Sequence, residues 1–207
     1  MRPRRHALAP SVVLATSNAG KLREMRAILA PWQVDVRALA EFSAGNAEET
    51  GLTFVENAIL KARYASAAAS LPAIADDSGL EVDGLHGAPG VYSARYAGPA
   101  ASDAANNARL LQSLIDVPDA ERTARYRCAM VYLRWAEDPA PIVVQASWEG
   151  SIARELHGSG GFGYDPLFIV AGGQRTAAQL PAELKNRLSH RGQALRGLVA
   201  ALAAGAP

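Results

Sequence analysis

The sequence has only one cysteine, Cys128, among its 207 residues. A single thiol excludes an internal disulfide framework and any zinc site that is built from several cysteines. Cys128 lies in an alternating apolar run, so we expect a buried residue that packs as a small hydrophobic side chain. The fold must therefore depend on an apolar core rather than on covalent cross-links.

Long apolar runs and an excess of one charge are also missing. No run approaches the roughly 20 apolar residues of a membrane-spanning helix, and the formal net charge is only +1. Without a basic stripe, the sequence predicts neither a nucleic-acid partner nor a membrane partner. The apolar part of MRPRRHALAP is too short for a signal-peptide core. We expect residues 1–10 to be an N-terminal extension of a cytoplasmic protein.

The composition is that of an ordinary globular protein, with 49% hydrophobic and 20% charged residues. A chain of this length can form one sizeable core or two closely joined lobes. Alternating apolar patterns predict strands at residues 33–39, 124–135 and 141–148, and the last two are joined by turn-forming residues as an antiparallel hairpin. Helical spacing predicts a helix that Ser102 and Asp103 cap, and a short helix at residues 182–188.

A polar segment joins the first predicted strand to the first predicted helix. The strand-like run SVVLA ends at Ala15, and a helical pattern begins at Leu22. Ser17 or Asn18 is a suitable N-cap, and the N–H groups at a helix start favour an anion. Lys21 opposes the helix dipole unless an anion is bound. The intervening residues therefore predict a phosphate site, although a plain capped helix is the alternative: Thr16, Ser17, Asn18, Ala19, Gly20 and Lys21.

Two adjacent carboxylates, Asp76 and Asp77, follow a short apolar run at residues 71–75. We interpret the run as a buried strand and Ser78-Gly79 as a turn that lets the two carboxylates converge. Such a pair repels itself unless a cation or a proton intervenes, which predicts either a hard metal such as Mg2+ or a shifted pKa. A solvated turn that caps the strand is the alternative.

A second acidic pair, Glu48 and Glu49, precedes a predicted helix. Thr53 and Glu56 have the spacing of a capping box, and Phe54, Ala58, Ala62 and Ala65 recur at helical spacing as a core face. Glu48 and Glu49 either complement the helix dipole or reach Asp76 and Asp77 as metal ligands.

Glycine and aromatic residues alternate in a third polar segment, residues 158–166. Four glycines within six residues allow the backbone to approach a flat or anionic group closely. Phe162 and Tyr164 offer aromatic faces for a base, and Asp165 offers an acceptor. Ser189, His190, Arg191 and Gly192 open the last predicted helix, where cations oppose the dipole unless an anion or a nucleobase is bound.

Together these segments are typical of an enzyme that binds a nucleoside triphosphate with Mg2+. Carboxylates would hold the metal and polarise a water molecule, and cations and helix starts would bind the phosphates. Two alternatives stay open from the residues: an NTPase that releases orthophosphate, and a nucleotide-binding sensor without catalytic activity. The first alternative is distinguished by its products, which are orthophosphate and a diphosphate. The second is distinguished by the absence of Mg2+-dependent hydrolysis.

Five blocks of the sequence resemble the inosine triphosphate pyrophosphatases, also called non-canonical purine NTP pyrophosphatases. They are LATSNAGKLREM, ETGLTFVENAILKA, PAIADDSGLEVDGLHGAPGVYSARYAG, GGFGYDPLF and SHRGQAL. The resemblance extends from Val12 to about Leu202 and implies an α/β fold, an elongated mixed β-sheet flanked by helices. It implies two lobes with a central substrate cleft, residues 11–207 as one two-lobed domain, and a homodimer. It also implies Mg2+-dependent hydrolysis of dITP, ITP and XTP to the monophosphate and pyrophosphate, which cleanses the nucleotide pool.

The resemblance also implies roles for single residues. Asp77 would bind metal and accept the proton of the attacking water, with Asp76 in support. Glu48 would be a metal ligand, with Glu49 a close competitor. Residues 16–21 and Lys61 would bind the triphosphate. The remaining substrate contacts would come from Ser78, Phe162, Gly163, Tyr164, Asp165, Lys185, His190 and Arg191.

Selectivity for inosine or xanthine over adenine and guanine would depend on the oxygen at purine C6 and on the absence of a 2-amino group. A donor aimed at that oxygen is left without a partner when adenine binds, which costs about 1–3 kcal/mol. His190, Arg191 and the N–H groups of the glycine-rich segment are the candidate donors. Ser17 stands where many members of the family have glycine, which reduces the backbone freedom of the phosphate segment.

Overall fold

The structure, a computed structural model, describes residues 9–204. Most of the predicted N-terminal extension, residues 1–8, lies outside this range. The strands are β1 (Ser11–Leu14), β2 (Asp35–Ala38), β3 (Ala73–Val82), β4 (Thr123–Leu133), β5 (Ile142–Ile152) and β6 (Phe168–Val170). The α-helices are α1 (Ala19–Leu29), α2 (Phe54–Ala69), α3 (Asp103–Ser113), α4 (Ala182–Leu188) and α5 (His190–Ala203). No helix in this part of the chain is both long enough and apolar enough to cross a membrane.

The six strands form one sheet in the order β2-β1-β3-β4-β5-β6. Strand β1 is parallel to both β2 and β3, whereas β5 and β6 are antiparallel. The predicted α/β class with a mixed sheet flanked by helices is therefore confirmed. Strands β4 and β5 are neighbours in the sheet, as the predicted hairpin requires.

The chain divides into two compact units that are each assembled from separate segments. The described residues of unit 1 are 9–77, 128–146 and 191–204, and unit 2 contains residues 78–127 and 147–190. The predicted single two-lobed domain over residues 11–207, with its central cleft, stays a prediction.

Unit 1 has an apolar cluster on each face of its strands. Side chains alternate along a strand, so Leu14 and Ile74 pack with α1 and α5 residues such as Met25 and Leu195. Val13 and residues 73 and 75 point the other way, toward the alanine face of α2. The predicted core face of this helix is confirmed for its three alanines, which have no exposed area: Ala58, Ala62 and Ala65. Phe54, at the start of the same face, is half-buried and packs against this cluster. These two faces also determine where the side chains of Asp76 and Asp77 point.

Unit 2 has its own core, in which β3, α3 and β6 contribute buried residues. Leu80 lies in β3, the strand that also contains the two aspartates. Leu110 belongs to α3 and Phe168 to β6, and all three residues are fully buried. The rings of Tyr126 and Phe168 lie 4.7 Å apart. This core supports the glycine-rich segment 158–166.

The predicted turn at Ser78-Gly79 is wrong. Strand β3 continues from Ala73 through both residues to Val82, because Leu80 and Val82 supply further buried apolar positions beyond the aspartates. Asp76 and Asp77 therefore sit inside a regular strand. Their side chains leave on opposite faces of the sheet instead of converging at a loop.

Candidate active site

The segment before α1 is held by its own side chains. The backbone N–H of Asn18 donates to Thr16 Oγ1 at 3.1 Å, and the N–H of Lys21 donates to Asn18 Oδ1 at 3.0 Å. Asn18 is thus the N-cap of α1, one of the two residues predicted for it. Residues 17–19 are exposed, so an anion can reach the start of the helix.

Asp76 lies on the α1 and α5 side of the sheet, between two cations. Lys21 Nζ is 3.0 Å from Asp76 Oδ2, and Arg191 Nε donates to the same oxygen at 3.1 Å. Arg191 Nη1 also donates to Glu24 Oε2 at 2.7 Å. All four side chains are at least four-fifths buried, so their charges interact with little screening by water.

Burial and the neighbouring positive charges shift the pKa of Asp76 in opposite directions. Burial by itself raises the pKa of this carboxyl, but the Lys21 ammonium and the Arg191 guanidinium outweigh burial and hold the pKa well below its usual range. The pKa of Lys21 is lowered, because burial outweighs the attraction of Asp76. Asp76 therefore stays ionised at neutral pH and serves to neutralise two buried cations.

Asp77 lies on the opposite side of the sheet, facing α2. Lys61 Nζ donates to Asp77 Oδ1 at 2.6 Å and to Glu49 Oε1 at 3.2 Å. Burial raises the pKa of the Asp77 carboxyl, although Lys61 pulls in the other direction. Burial alone lowers the pKa of Lys61, but Asp77, Asp76 and Glu49 together raise it. Asp77 is thus a better proton acceptor than Asp76.

The acidic segment before α2 is fixed at the helix start. Gly51 N–H donates to Asn57 Oδ1 at 2.8 Å, and the predicted capping box between Thr53 and Glu56 is formed. Both Glu48 and Glu49 are exposed, and the carboxylate of Glu49 pairs with the Lys61 ammonium. Of the two glutamates, Glu49 is the one that shares a cation with Asp77.

The carboxylates of unit 1 fit a divalent ion only as a pair. Asp77 and Glu49 each place an oxygen within 3.2 Å of the same ammonium, which shows that both can reach one cation. Mg2+ is commonly held by one or two carboxylates together with substrate phosphates. Within residues 9–204, no three His, Cys, Asp or Glu side chains are grouped so that they could hold a metal by themselves. The donor set therefore suits a metal that arrives with a polyphosphate.

Residues 158–166, here called the glycine-aromatic loop, form an ordered turn in unit 2. Asp165 Oδ2 accepts from the N–H of Phe162 at 2.8 Å and from Lys185 Nζ at 2.5 Å. The Lys185 ammonium also lies 4.8 Å from the centre of the Phe162 ring. The structure thus brings together three of the residues that were predicted to bind the nucleoside.

Tyr164 and His190 are placed differently from these three. Tyr164 is 4% exposed and donates through its hydroxyl to the Ser93 carbonyl, so its ring belongs to the core of unit 2. His190 is buried and stacks on the Tyr126 ring at 4.6 Å. Ser78 lies within β3 and is half-buried.

The sequence interpretation missed Glu24, to which it assigned no role. The structure leaves Glu24 only 9% exposed, because Arg191 draws its carboxylate inward. A signal was present: Glu24 follows Lys21 by three residues, and this spacing puts both side chains on one side of a helix. We call the seven charged residues of this region the charged cluster: Lys21, Glu24, Glu49, Lys61, Asp76, Asp77 and Arg191.

Comparison with known proteins yields relatives that match nearly the whole chain. A dITP/XTP pyrophosphatase of Shigella flexneri is 58% identical over 191 residues, which are 92% of this chain and 97% of that protein. A solved structure of a HAM1 protein from Coxiella burnetii superposes with a TM-score of 0.85 at 48% identity, and covers 93% of this chain and 98% of that one.

A third relative is a Mycobacterium abscessus protein described as a nucleoside-triphosphatase / dITP/XTP pyrophosphatase. It has a TM-score of 0.72 at 43% identity, over 91% of this chain and 98% of that chain. The model of the Ham1 family matches residues 12–201. With this match and these identities over most of its length, the chain belongs to the Ham1 family.

Proposed function

We propose that the protein hydrolyses non-canonical purine nucleoside triphosphates, such as dITP, ITP and XTP, to the monophosphate and pyrophosphate. The observation that carries this proposal is the charged cluster. One aspartate is neutralised by buried cations, and its neighbour on the other face shares a lysine with Glu49. The names of the relatives support the substrate class.

The start of α1 and the ammonium of Lys21 are suited to bind phosphate oxygens. The helix N-terminus presents N–H groups that attract anions, and Lys21 adds a positive charge in the first turn. Lys61 supplies a second ammonium that is directed by two carboxylates. We assign the triphosphate to residues 16–21 and Lys61.

Asp77 is the proposed general base. Its raised pKa, which burial causes, brings its basicity closer to that needed to take a proton from water near neutral pH. Asp76 is held ionised by Lys21 and Arg191, so it fixes these cations rather than accepting the proton.

Mg2+ is the proposed metal, because the available donors are carboxylate oxygens. We propose Asp77 and Glu49 as its protein ligands, because both contact the Lys61 ammonium, with Asp76 and Glu48 as the less suitable candidates. When bound, the ion would neutralise phosphate charge and make the phosphorus easier to attack. Phe162, Asp165 and Lys185 are the proposed purine contacts of unit 2. Homodimerisation and a cytoplasmic location stay predictions.

The test measures pyrophosphate release from ITP, dITP, XTP, ATP and GTP, with Mg2+ and with EDTA. We expect Mg2+-dependent pyrophosphate and monophosphate from the deaminated substrates. Orthophosphate with a diphosphate product would contradict the proposed reaction. Binding of ITP without turnover would identify a sensor instead.

The variant Asp77→Asn tests the base assignment. We expect kcat to fall by at least about 100-fold, because positioned general bases typically contribute factors of this size, while the fold is retained. The matched control is Asp116→Asn, which removes the charge of an exposed aspartate in unit 2. If Asp77→Asn kept the wild-type kcat, another group would have to accept the proton.

A further inference from the structure

The first turns of α3 hold the peptide groups of Gly163 in the glycine-aromatic loop. The N–H of Gly163 donates to Asp103 Oδ2 at 2.7 Å, and Asn107 Nδ2 donates to the Gly163 carbonyl at 2.8 Å. Asn107 Nδ2 also donates to the Asp103 carbonyl at 2.8 Å. Because the two residues are four apart in a helix, they lie on one side and act on Gly163 together.

The backbone of Gly163 adopts a left-handed conformation. Its φ is +63°, and Gly161 in the same loop has φ +75°, which is the left-handed region that favours glycine. Glycine loses more conformational entropy than any other residue when it becomes ordered. The two contacts from α3 therefore fix a part of the loop that its own sequence leaves free.

Fixing Gly163 also fixes the residues beside it. Phe162 directly precedes Gly163, and its N–H donates to Asp165 Oδ2. The same oxygen accepts from Lys185, whose ammonium faces the Phe162 ring. The turn is thus held from α3 at Gly163 and from α4 at Asp165.

The two contacts are not needed to form α3 itself. Ser102 caps the helix by accepting from the N–H of Ala105, and Leu110 and Leu114 anchor it in the core of unit 2. The neighbouring Asn106 serves another segment, through Ala94 and Ala97. Asp103 and Asn107 instead direct their side chains at Gly163 of the glycine-aromatic loop.

We propose that Asp103 and Asn107 are positioning residues for purine recognition. They hold Gly163 so that Phe162 and Asp165 are already arranged for the base before the substrate binds. A site that is already ordered loses less conformational entropy when the substrate binds. The inference deepens the proposed function, and rests on it in assigning the purine to this loop.

The variants Asp103→Ala and Asn107→Ala remove one contact each. We expect KM for ITP to rise by about threefold to tenfold, the range that corresponds to one hydrogen bond. We expect kcat to change by less than about twofold, because no residue of the charged cluster is altered. The dissociation constant of inosine monophosphate, which is not hydrolysed, should rise by the same factor as KM.

A structural readout accompanies the kinetics. Amide hydrogen exchange of the segment that contains Gly163 should accelerate in both variants, because its N–H loses an acceptor or a fixed geometry. Three further variants serve as comparisons. Ser102→Ala weakens the cap of the same helix without touching Gly163. Asp103→Asn keeps an oxygen acceptor for the Gly163 N–H, so it should bind inosine monophosphate better than Asp103→Ala. Asn107→Asp replaces the donor by a carboxylate, so it should not restore the binding that Asn107→Ala loses.

The outcomes separate this inference from the proposed function. If Asp103→Ala and Asn107→Ala weaken inosine monophosphate no more than Ser102→Ala does, the inference is overturned. Unchanged exchange at Gly163 would overturn it as well. If the wild-type protein binds inosine monophosphate but releases no pyrophosphate from ITP, the proposed reaction fails, while the binding and exchange data still decide the role of Asp103 and Asn107.

Discussion

At the scale of single residues, the two aspartates of β3 have different surroundings although they are neighbours in the chain. Asp76 balances two cations in a buried position, and Asp77 shares one lysine with Glu49. A strand directs adjacent side chains to opposite faces, so the sequence Asp-Asp places one carboxylate in each environment. Asp76 is therefore enclosed by cations, and Asp77 is the one that we propose as the general base.

This difference predicts that Asp76→Asn destabilises the protein far more than Asp77→Asn does. Removing one partner from a buried ion pair typically costs about 3–5 kcal/mol, because the remaining charges stay buried without compensation. Asp77 is less deeply buried than Asp76 and its pKa is raised by burial, so its neutralisation should cost much less. Urea unfolding followed by circular dichroism measures both, and equal losses would contradict the assignment.

The pH dependence of stability should also depend on Asp76. Its pKa is lowered in the folded protein, because Lys21 and Arg191 overcome the effect of burial, and lies below the unfolded value of about 3.9. The unfolded state therefore binds more protons in acid, and the contribution of Asp76 is present above about pH 4 and is lost as the pH falls further. The free energy of unfolding of the wild type should fall more steeply below pH 4 than that of Asp76→Asn. Parallel curves would argue against this origin of the acid sensitivity.

Cys128 is confirmed as a core residue, with 2% of its surface exposed. Burial, and after it Asp76, raises the pKa of the thiol to about 12. At pH 8 its thiolate fraction should be lower than that of a free cysteine by a factor on the order of 10³. We predict that the native protein resists iodoacetamide and that one equivalent reacts in urea, as mass spectrometry can show. Rapid alkylation of the native state would mean that the core opens locally.

At the scale of elements, β5 and β6 pair closely at a glycine. Gly150 lies opposite Val170 in the antiparallel register, and a Cβ at this position would come within 2.6 Å of Phe168 Cζ and would also meet the Ile169 carbonyl. The short β6 can form its ladder only because no side chain projects there. This edge of the sheet precedes the segment that leads to α4.

We predict that Gly150→Ala costs about 1–3 kcal/mol of unfolding free energy, as overpacking of a close contact usually does. Gly173→Ala is the matched control, because its Cβ would meet the nearest backbone atom at an ordinary 3.5 Å. Thermal unfolding of both variants gives the comparison. A Gly150→Ala protein as stable as Gly173→Ala would show that β6 shifts at little cost.

At the scale of the whole molecule, unit 1 depends on segments that are far apart in the chain. Its cluster around Leu14 and Ile74 includes Met130 from β4 and Leu195 from α5. The first 77 residues contain β1, β2, α1 and α2, but they lack these two partners. Their apolar face toward α5 would be left in water.

The fragment of residues 1–77 should therefore fail to fold by itself. We expect circular dichroism to show no cooperative urea transition for the fragment, because the buried area that stabilises β1 and β3 is incomplete. The full chain, measured under the same conditions, is the control and should unfold cooperatively. A sigmoidal transition of the isolated fragment would show that α1 and α2 suffice to cover the strands.

The sequence by itself determined the features that depend on neighbouring residues. The N-cap of α1, predicted as Ser17 or Asn18, and the capping box of Thr53 and Glu56 follow from interactions within one turn. The bounds of α4 were also predicted. The residues after Gly79 were expected to resume strand character, but the continuity of β3 through Ser78 and Gly79 was not predicted, because the Ser-Gly pair resembles a turn locally. Only the buried positions of Leu80 and Val82 in the core of unit 2 decide that the strand continues.

The tertiary structure alone decided which charges face one another. Arg191 meets Asp76 across 115 residues of sequence and Glu24 across 167, and no local pattern encodes either distance. His190, although adjacent to Arg191, stacks on Tyr126 instead. The physical reason is that a buried charge is stable only beside an opposite charge, and the partner is whichever residue the folded chain brings to that point.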